Sequence, residues 1–508
     1  MQNKLNLGRT KYVHFIGIGG ISMSGLAEIL HRDGYIVSGS DWTATDITKH
    51  LVGLGINVRL GNDAAYITDD IDLVVYTAAV KPNNPEFAEA RKRNITVMDR
   101  AKLLGLIMER YMCSIAVAGV HGKTTTTSII AEVLLAADLD PTISIGGFME
   151  ALKGDGISAS NFRIGASPYF VLEACEYFDS FLQFYPHIGV ILNIDSDHLD
   201  YFGTLERLVD SFHRFAKNIP DEGTLVIHRD TPHLSQVTAG LKCNIITYGE
   251  PGARFWARDI RYNNEGFPTF FIMDGEETIS EVGLKLRGNH NINNALAAAG
   301  VATVLGIPTE AVVTGLQGAS GAKRRFEHKG VFQGITVIDD YAHHPTEVRA
   351  SLAAAVPFRE NSSSEIYSSE ASPNETSPNE TSPNKASPNK ASPSEISSKR
   401  IICAFQSHTY SRTKSLLDEF AAAFEHADIV LILPIYAARE VSFGPYPNYL
   451  AELLADGIKN NGKECHFVEN FSAAADWIKK YARPGDLLIT MGAGDIHILG
   501  ESLILGDI

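Results

Sequence analysis

The chain has 508 residues, enough for about three domains at roughly 150 residues each. Apolar residues at 44% and charged residues at 20% are ordinary for a globular protein with sizeable cores. Lys and Arg number 44 against 60 Asp and Glu, a net charge of −16, which excludes a general nucleic-acid or anionic-membrane binder but leaves room for a local nucleotide pocket.

At the N-terminus, Lys4, Arg9 and Lys11 precede an apolar stretch, VHFIGIGGISMSG, that superficially resembles a secretory leader. His14 and several glycines interrupt it and no A-x-A exit follows, so it reads as the start of a folded domain. No window approaches the ~20 apolar residues of a membrane span, and a cytoplasmic protein without membrane insertion is expected. Five cysteines (Cys113, Cys175, Cys243, Cys403 and Cys465) are scattered without a C-x-x-C pair, which predicts free thiols in a reducing compartment.

Residues 12–110 alternate strands and helices: KYVHFIGIG, the helix ISMSGLAEILHRDG closed by Gly34, then YIVSGSD, DLVVYTAAV and the helix NPEFAEARKRN. This alternation predicts a parallel, doubly wound sheet. The turn GIGGISMSG joins its first strand to its first helix, with Asp41 ending the next strand. Taken alone, that pattern permits a dinucleotide site and an NAD-dependent oxidoreductase with Asp41 on a ribose.

A second α/β unit opens with SIAVAGV and the helix TTTTSIIAEVLLAADL. Between them VAGVHGKTT forms a glycine-rich strand-to-helix turn, which points successive N–H groups at one spot where the helix start adds positive potential. Lys123 would reach the β/γ-phosphates and Thr124 would ligate Mg²⁺. The usual P-loop spacing places its first Gly where Val117 stands, so the match is partial; an oxidoreductase has no need for this second loop. YFVLEAC and IGVILNI are continuously apolar and read as buried parallel strands. Shorter strands and hairpins follow, then the helix NHNINNALAAAGVATVLGI.

A third unit starts near 321, with GVFQGITVIDDY, the strand IICAFQS, a helix over SLLDEFAAAFEHA, and the strands DIVLILPIY and DLLITMGAGD. Residues 360–399 belong to none of these. They contain the tandem SPNET-SPNET-SPNKA-SPNKA-SPSEI with a proline in every repeat, too polar to offset chain entropy, and are expected to be a disordered insertion.

GIGGISMSG, AGVHGKTTTTS, DHLDYFG, GNHNINNALAA, RRFE, DDYAHHPTEV and FQSHTYSRT occur in one order, and with them the chain resembles the Mur ligases over essentially its whole length apart from 360–399. The resemblance implies an α/β protein of three domains. These are a Rossmann-like UDP-sugar domain (1–110), a central P-loop ATPase-type domain (111–320) and a Rossmann-like C-terminal domain (321–508). It implies the branch that uses ATP and Mg²⁺ to join L-alanine to UDP-N-acetylmuramate through an acyl phosphate. The oligomeric state, and the selectivity for L-alanine over glycine or L-serine, stay open.

Residue by residue, the resemblance assigns Gly17, Gly19, Gly20, Ser22, Ser24 and Asp41 to the UDP-sugar. It assigns Gly119, Val120, His121, Gly122, Lys123, Thr124 and Thr125 to the ATP phosphates, and Thr124, Glu173 and His198 to Mg²⁺, with Glu176 as the rival carboxylate. Asn291 and Asn294 would contact adenine, N-capping of their helix being the plainer alternative. Arg325 and Asp340 would reach ATP from the third domain. His343 would face the substrates while His344 packs in its loop, and His408 with Arg412 would hold the alanine carboxylate. Lys123, Glu173, His198, His343, His408 and Arg412 form the expected catalytic set.

Two departures matter. Thr409 stands where many relatives carry Arg, and Phe212 stands where other branches carry a lysine that works in carbamylated form, as expected of the alanine-adding branch. The neighbouring readings are a ligase recycling a whole tripeptide, whose first loop reads more like GICGTFMG, and an inactive wall-assembly scaffold. The scaffold is disfavoured because Lys123, Thr124, Glu173 and His198 are all present.

Overall fold

The computed structural model describes residues 7–77, 79–152, 160–197, 199–263, 265–360, 399–438, 440 and 446–507. The expected insertion at 360–399 lies almost wholly outside the described residues, and so does His198. The chain forms two compact units, one of Met1–Arg261 with Phe267–Arg325 and one of Tyr262–Gly266 with Phe326–Ile508. Among the described residues, no helix is long and apolar enough to cross a membrane. All five cysteines are free.

The first unit holds two sheets. The N-terminal one is parallel and five-stranded, in the order Asn57–Leu60, Ile36–Asp41, Tyr12–Ile16, Leu73–Tyr76, Thr96–Asp99. Its first strand sits at the centre, so the glycine turn after Ile16 emerges at the carboxyl edge between two strands, where doubly wound sheets bind ligands. The second sheet has ten strands. At its middle lie Ile188–Ile191, Cys113–Ala118 and Tyr169–Glu173, all parallel and almost entirely buried. Their continuous apolar runs follow from being covered on both faces. The remaining strands include the antiparallel hairpin Pro268–Asp274 and Glu277–Gly283.

The second unit holds a six-stranded sheet. An antiparallel edge hairpin, Glu327–Phe332 with Ile335–Asp340, leads into the parallel strands Leu487–Met491, Ile401–Phe405, Ile429–Ile432 and Glu464–Phe467. The helix expected over SLLDEFAAAFEHA is shorter. Helices Tyr410–Ser415 and Leu417–Ala422 meet at Leu416, whose φ of −118° and ψ of 29° leave the helical region.

Helix Leu205–Lys217 shows how side-chain pattern fixes packing. Thr204 caps it by accepting from Arg207 N at 3.3 Å, and Leu208, Val209, Phe212, Phe215 and Ala216 form one buried stripe. Phe212 is fully buried, edge-on to Phe181 with ring centroids 5.2 Å apart. Phe212, which the resemblance sets where other branches carry lysine, is thus a residue of an aromatic core. Phe212→Ala should destabilise the first unit by about 3–5 kcal/mol, read as a lowered urea midpoint; an unchanged midpoint would contradict this packing.

Candidate active site

The first glycine loop is seated on the end of the neighbouring strand. Gly17 N and Ile18 N both donate to the Ser40 carbonyl, at 2.8 and 2.9 Å, and Gly19 N donates to Asp41 Oδ2 at 2.8 Å. Asp41 Oδ1 accepts from Trp42 N at 2.8 Å, so both oxygens of the carboxylate expected on a ribose are engaged by nearby backbone. A Cβ on Gly19 would lie 2.7 Å from Thr48 Cγ2 and 2.9 Å from Asp41 Oδ2, which requires glycine there. Gly20 is the N-cap of helix Ile21–Arg32 with no side-chain cap, its carbonyl accepting from Met23 N and Ser24 N at 2.9 and 3.1 Å. Ser24 is buried and Ser22 half-buried in its first turns.

The second loop, Gly119 to Gly122, links strand Cys113–Ala118 to helix Lys123–Ala136. Gly119 and Gly122 have φ of 140° and 80°, conformations that only glycine adopts at little cost. Asn193, at the end of the next strand, clamps the loop from behind: its Oδ1 accepts from His121 N at 2.9 Å and its Nδ2 donates to the His121 carbonyl at 3.0 Å. The His121 ring lies 3.3 Å from Asp195.

Lys123 folds back over the loop. Its Nζ donates to the Gly119 and Val120 carbonyls at 2.5 and 3.0 Å and to Glu176 Oε2 at 2.9 Å. Burial is the largest single influence and works against the ammonium charge, but Glu176 together with Cys175 and Glu173 outweighs it, and the Lys123 pKa is held above its ordinary value. Glu176, fully buried, is thus an ion-pair partner of Lys123, while Thr124 donates to Glu173. Burial, with Glu176 next, pushes the adjacent Cys175 thiol up to about 11, which keeps it protonated at neutral pH.

Thr124 and Glu173 meet as the family pattern implied. Thr124 Oγ1 donates to Glu173 Oε2 at 2.9 Å, and Gly146 N donates to the same oxygen at 2.9 Å. Glu173 ends the strand that pairs with the phosphate-loop strand, Val117 opposite Glu173. Thr125 is buried in the same helix start. Asn294 Oδ1 lies 3.1 Å from where a Gly122 side chain would begin, and Asn294 Nδ2 donates to Asn291 Oδ1 at 2.9 Å. Neither amide caps its helix, whose N-cap is Gly288; Asn291 Nδ2 donates to the Arg287 carbonyl at 2.7 Å.

After Glu176 the backbone takes two successive left-handed residues, Phe178 and Asp179, with φ of 56° and 55°. Such strain persists only where the surroundings fix it. Here Asp179 accepts from Tyr201 OH at 2.8 Å and from Ser211, and Phe178 packs against Tyr177 and Tyr201. This ties the Glu173–Glu176 segment to Tyr201 of the DHLDYF segment and to the helix after it.

The other expected residues divide between the units. Arg325 is the last residue of the first unit, half-buried. Asp340, His343, His344, His408 and Arg412 lie in the second. Asp340 ends its strand with its carboxylate engaged internally, accepting from Phe326 N at 3.1 Å, Ala342 N at 2.7 Å and Ser351 Oγ at 2.9 Å. His344 is buried. His343, His408 and Arg412 come together: the His343 and His408 rings stand edge-on at 5.9 Å, and Arg412 Nη1 lies 3.5 Å from His408 Nδ1. Tyr436 stacks on His408 at 5.7 Å and Glu347 accepts from His343 N at 3.0 Å. Thr409 has φ of 67°, a conformation uncommon for a β-branched residue.

Sequence reasoning missed Asn193, Asp179 and Tyr436, and took Glu176 only as a rival metal ligand. Asn193 ends the apolar run IGVILN beside the phosphate-loop strand, and Tyr436 ends DIVLILPIY, so a polar residue closing a buried strand was the available signal.

Three family models match consecutive parts of the chain: "Mur ligase family, catalytic domain" at 12–112, "Mur ligase middle domain" at 117–302, and "Mur ligase, glutamate ligase domain" at 324–365 and 389–494. The third skips much of the proline repeat. UDP-N-acetylmuramate–L-alanine ligase of Clostridium novyi is 44% identical over 494 residues, covering 97% of each chain. The protein of that name from Acetivibrio thermocellus is 43% identical, covering 98% of this chain and 97% of its own. Among solved structures, UDP-N-acetylmuramate-alanine ligase from Thermotoga maritima superposes with a TM-score of 0.75 at 27% identity, covering 98% of this chain and 99% of its own. With two glycine loops at strand ends, Lys123, Thr124 and Glu173 gathered at the second, and relatives matching almost end to end, the chain belongs to the Mur ligase family.

Proposed function

We propose that the chain is an ATP-dependent ligase that joins L-alanine to the lactyl carboxylate of UDP-N-acetylmuramate, giving UDP-N-acetylmuramoyl-L-alanine, ADP and phosphate in peptidoglycan synthesis. The observation that carries this reading is identity of 40–44% over 97% or more of the chain to relatives named for that reaction. Phe212, buried where other branches carry lysine, favours the same branch. In this reading, residues 1–110 hold the UDP-sugar, 111–320 the ATP, and 321–508 help to hold the amino acid.

A carboxylate is a poor electrophile, so one of its oxygens first attacks the γ-phosphorus of ATP, and ADP leaves. The product is an acyl phosphate. The neutral amine of alanine then attacks the acyl carbon, a proton leaves the nitrogen, and phosphate departs as the amide forms. Phosphoryl transfer is mostly positioning and charge neutralisation. The amides at the helix start, Gly122 to Thr125, receive phosphate oxygens, and Lys123 exchanges its contacts with the Gly119 and Val120 carbonyls for the β/γ-phosphates. Glu176 keeps that lysine charged and aimed while buried.

Thr124 and Glu173 present hard oxygen donors 2.9 Å apart beside the loop, a donor set that fits Mg²⁺, with His198 the third expected ligand. When bound, the cation would neutralise charge on the transferring phosphoryl group. Asn294 extends the nucleotide site from Gly122, and Arg325 and Asp340 are assigned to ATP. Arg412, with His408 beside it, clamps the alanine carboxylate, and His343 faces the reacting groups.

Lys123→Ala should lower product formation by about 10³-fold or more while UDP-N-acetylmuramate binding, measured by calorimetry without ATP, is unchanged. Unchanged turnover would remove ATP from this loop. Glu173→Gln should raise the Mg²⁺ concentration for half-maximal activity at least about ten-fold; an unaltered Mg²⁺ titration would exclude Glu173 as a ligand.

A further inference from the structure

Beneath the first glycine loop lies a buried polar network that the reaction chemistry does not use. His14, in the central strand Tyr12–Ile16, is 1% exposed, and Glu86, in the first turn of helix Pro85–Lys92, is 0% exposed. His14 Nε2 lies 2.7 Å from Glu86 Oε2, and His14 Nδ1 lies 2.8 Å from Ser38 Oγ. Ser40 Oγ donates to the other carboxylate oxygen, Glu86 Oε1, at 2.8 Å. Strand register puts His14 beside Ser38 on one side and Val74 on the other, on a face whose remaining buried side chains include Ile16, Val74 and Ala90. Asn84 caps the helix by accepting from Glu86 N and Phe87 N, both at 3.0 Å, so the NPE segment delivers its carboxylate in one orientation.

Four buried polar side chains at this place are a costly way to fill a sheet face. An apolar set of similar volume would serve stability as well or better. What the network does reach is the seat of the loop. Ser40, pinned through its hydroxyl to Glu86, offers its carbonyl to both Gly17 N and Ile18 N. Its neighbours complete the seat. A Cβ on Gly39 would come within 2.6 Å of Ile18 Cβ, so glycine makes room for the loop's side chain, and Asp41 holds Gly19 N. One strand end, Gly39-Ser40-Asp41, therefore fixes three successive loop residues, and the His14–Glu86 pair fixes its middle member.

We infer that His14 and Glu86 are positioning residues for the sugar-nucleotide loop, holding Ser40, and through it the loop backbone, so that the start of helix Ile21–Arg32 is presented to a diphosphate. The inference rests on reading that loop as the UDP-sugar site.

The test is calorimetry on the full-length protein with UDP-N-acetylmuramate and, separately, with ADP, alongside thermal melting. The double variant His14→Leu/Glu86→Leu replaces the pair by apolar side chains, and Ser40→Ala removes only the link to the seat. Both should weaken UDP-N-acetylmuramate about ten-fold while ADP affinity stays within about two-fold and kcat at saturating sugar nucleotide is retained. Glu86→Gln can still accept from Ser40 and donate to a neutral His14, and should bind nearly as wild type. Sugar-nucleotide affinity unchanged in both Ser40→Ala and the double variant would overturn the inference, as would ADP affinity and melting temperature falling in parallel with it. Gly19→Ala separates the two claims. If it too leaves sugar-nucleotide binding intact, the loop is not the site; if it weakens binding while the network variants do not, only the positioning role fails.

Discussion

A glycine loop that ends a parallel strand can present its amides to an anion only if something behind it holds the backbone in that shape. In this protein the next strand over does so, twice. Ser40 and Asp41 seat the loop from Gly17 to Gly20, one through its carbonyl and the other through its carboxylate. Asn193 seats the loop from Gly119 to Gly122 by a reciprocal pair of bonds to the His121 backbone. In each case the seat itself engages amides at the front of the loop, Gly17 to Gly19 in the first and Val120 and His121 in the second, which directs anion binding to the start of the helix that follows.

Charge at the second loop is arranged by the same economy of neighbours. Lys123 is half-buried, which works against its charge; Glu176, fully buried, supplies a counter-charge at 2.9 Å. Glu173, three residues earlier on the same segment, is directed instead to Thr124 and Gly146. The two carboxylates are kept apart in role by the strand end between them and by the strained turn at Phe178 and Asp179, which Tyr201 and Ser211 hold in place. A segment of seven residues thus stabilises the lysine, offers a cation ligand and anchors to the following helices.

Much of this was legible in the sequence wherever the signal was local. Continuous apolar runs marked the buried parallel strands, and the glycine loops marked the strand ends, because burial and backbone conformation constrain residue type directly. The meeting of Thr124 with Glu173 was legible only through the family resemblance, since the two are far apart in the chain. Short strands such as Asn57–Leu60 and Glu464–Phe467 were not readable, because pairing with an existing sheet, rather than their own half-exposed sequence, makes them strands. The hydrogen bonds of Asp41 to Gly19 and Trp42 were not readable, because they depend on where the loop folds back. Likewise His14 registered only as an interruption of an apolar stretch, since its partner Glu86 is brought to it by the tertiary fold.

The central claim is that this site activates the carboxylate of a sugar nucleotide with ATP and passes it to L-alanine. The most direct measurement is phosphate release with UDP-N-acetylmuramate, Mg²⁺ and ATP, comparing L-alanine, the wall tripeptide and no amino donor, with the product's mass determined. Release with L-alanine alone, accompanied by the mass increase of one alanyl residue, is the predicted result. Release with the tripeptide alone, or no release with any donor, would contradict it.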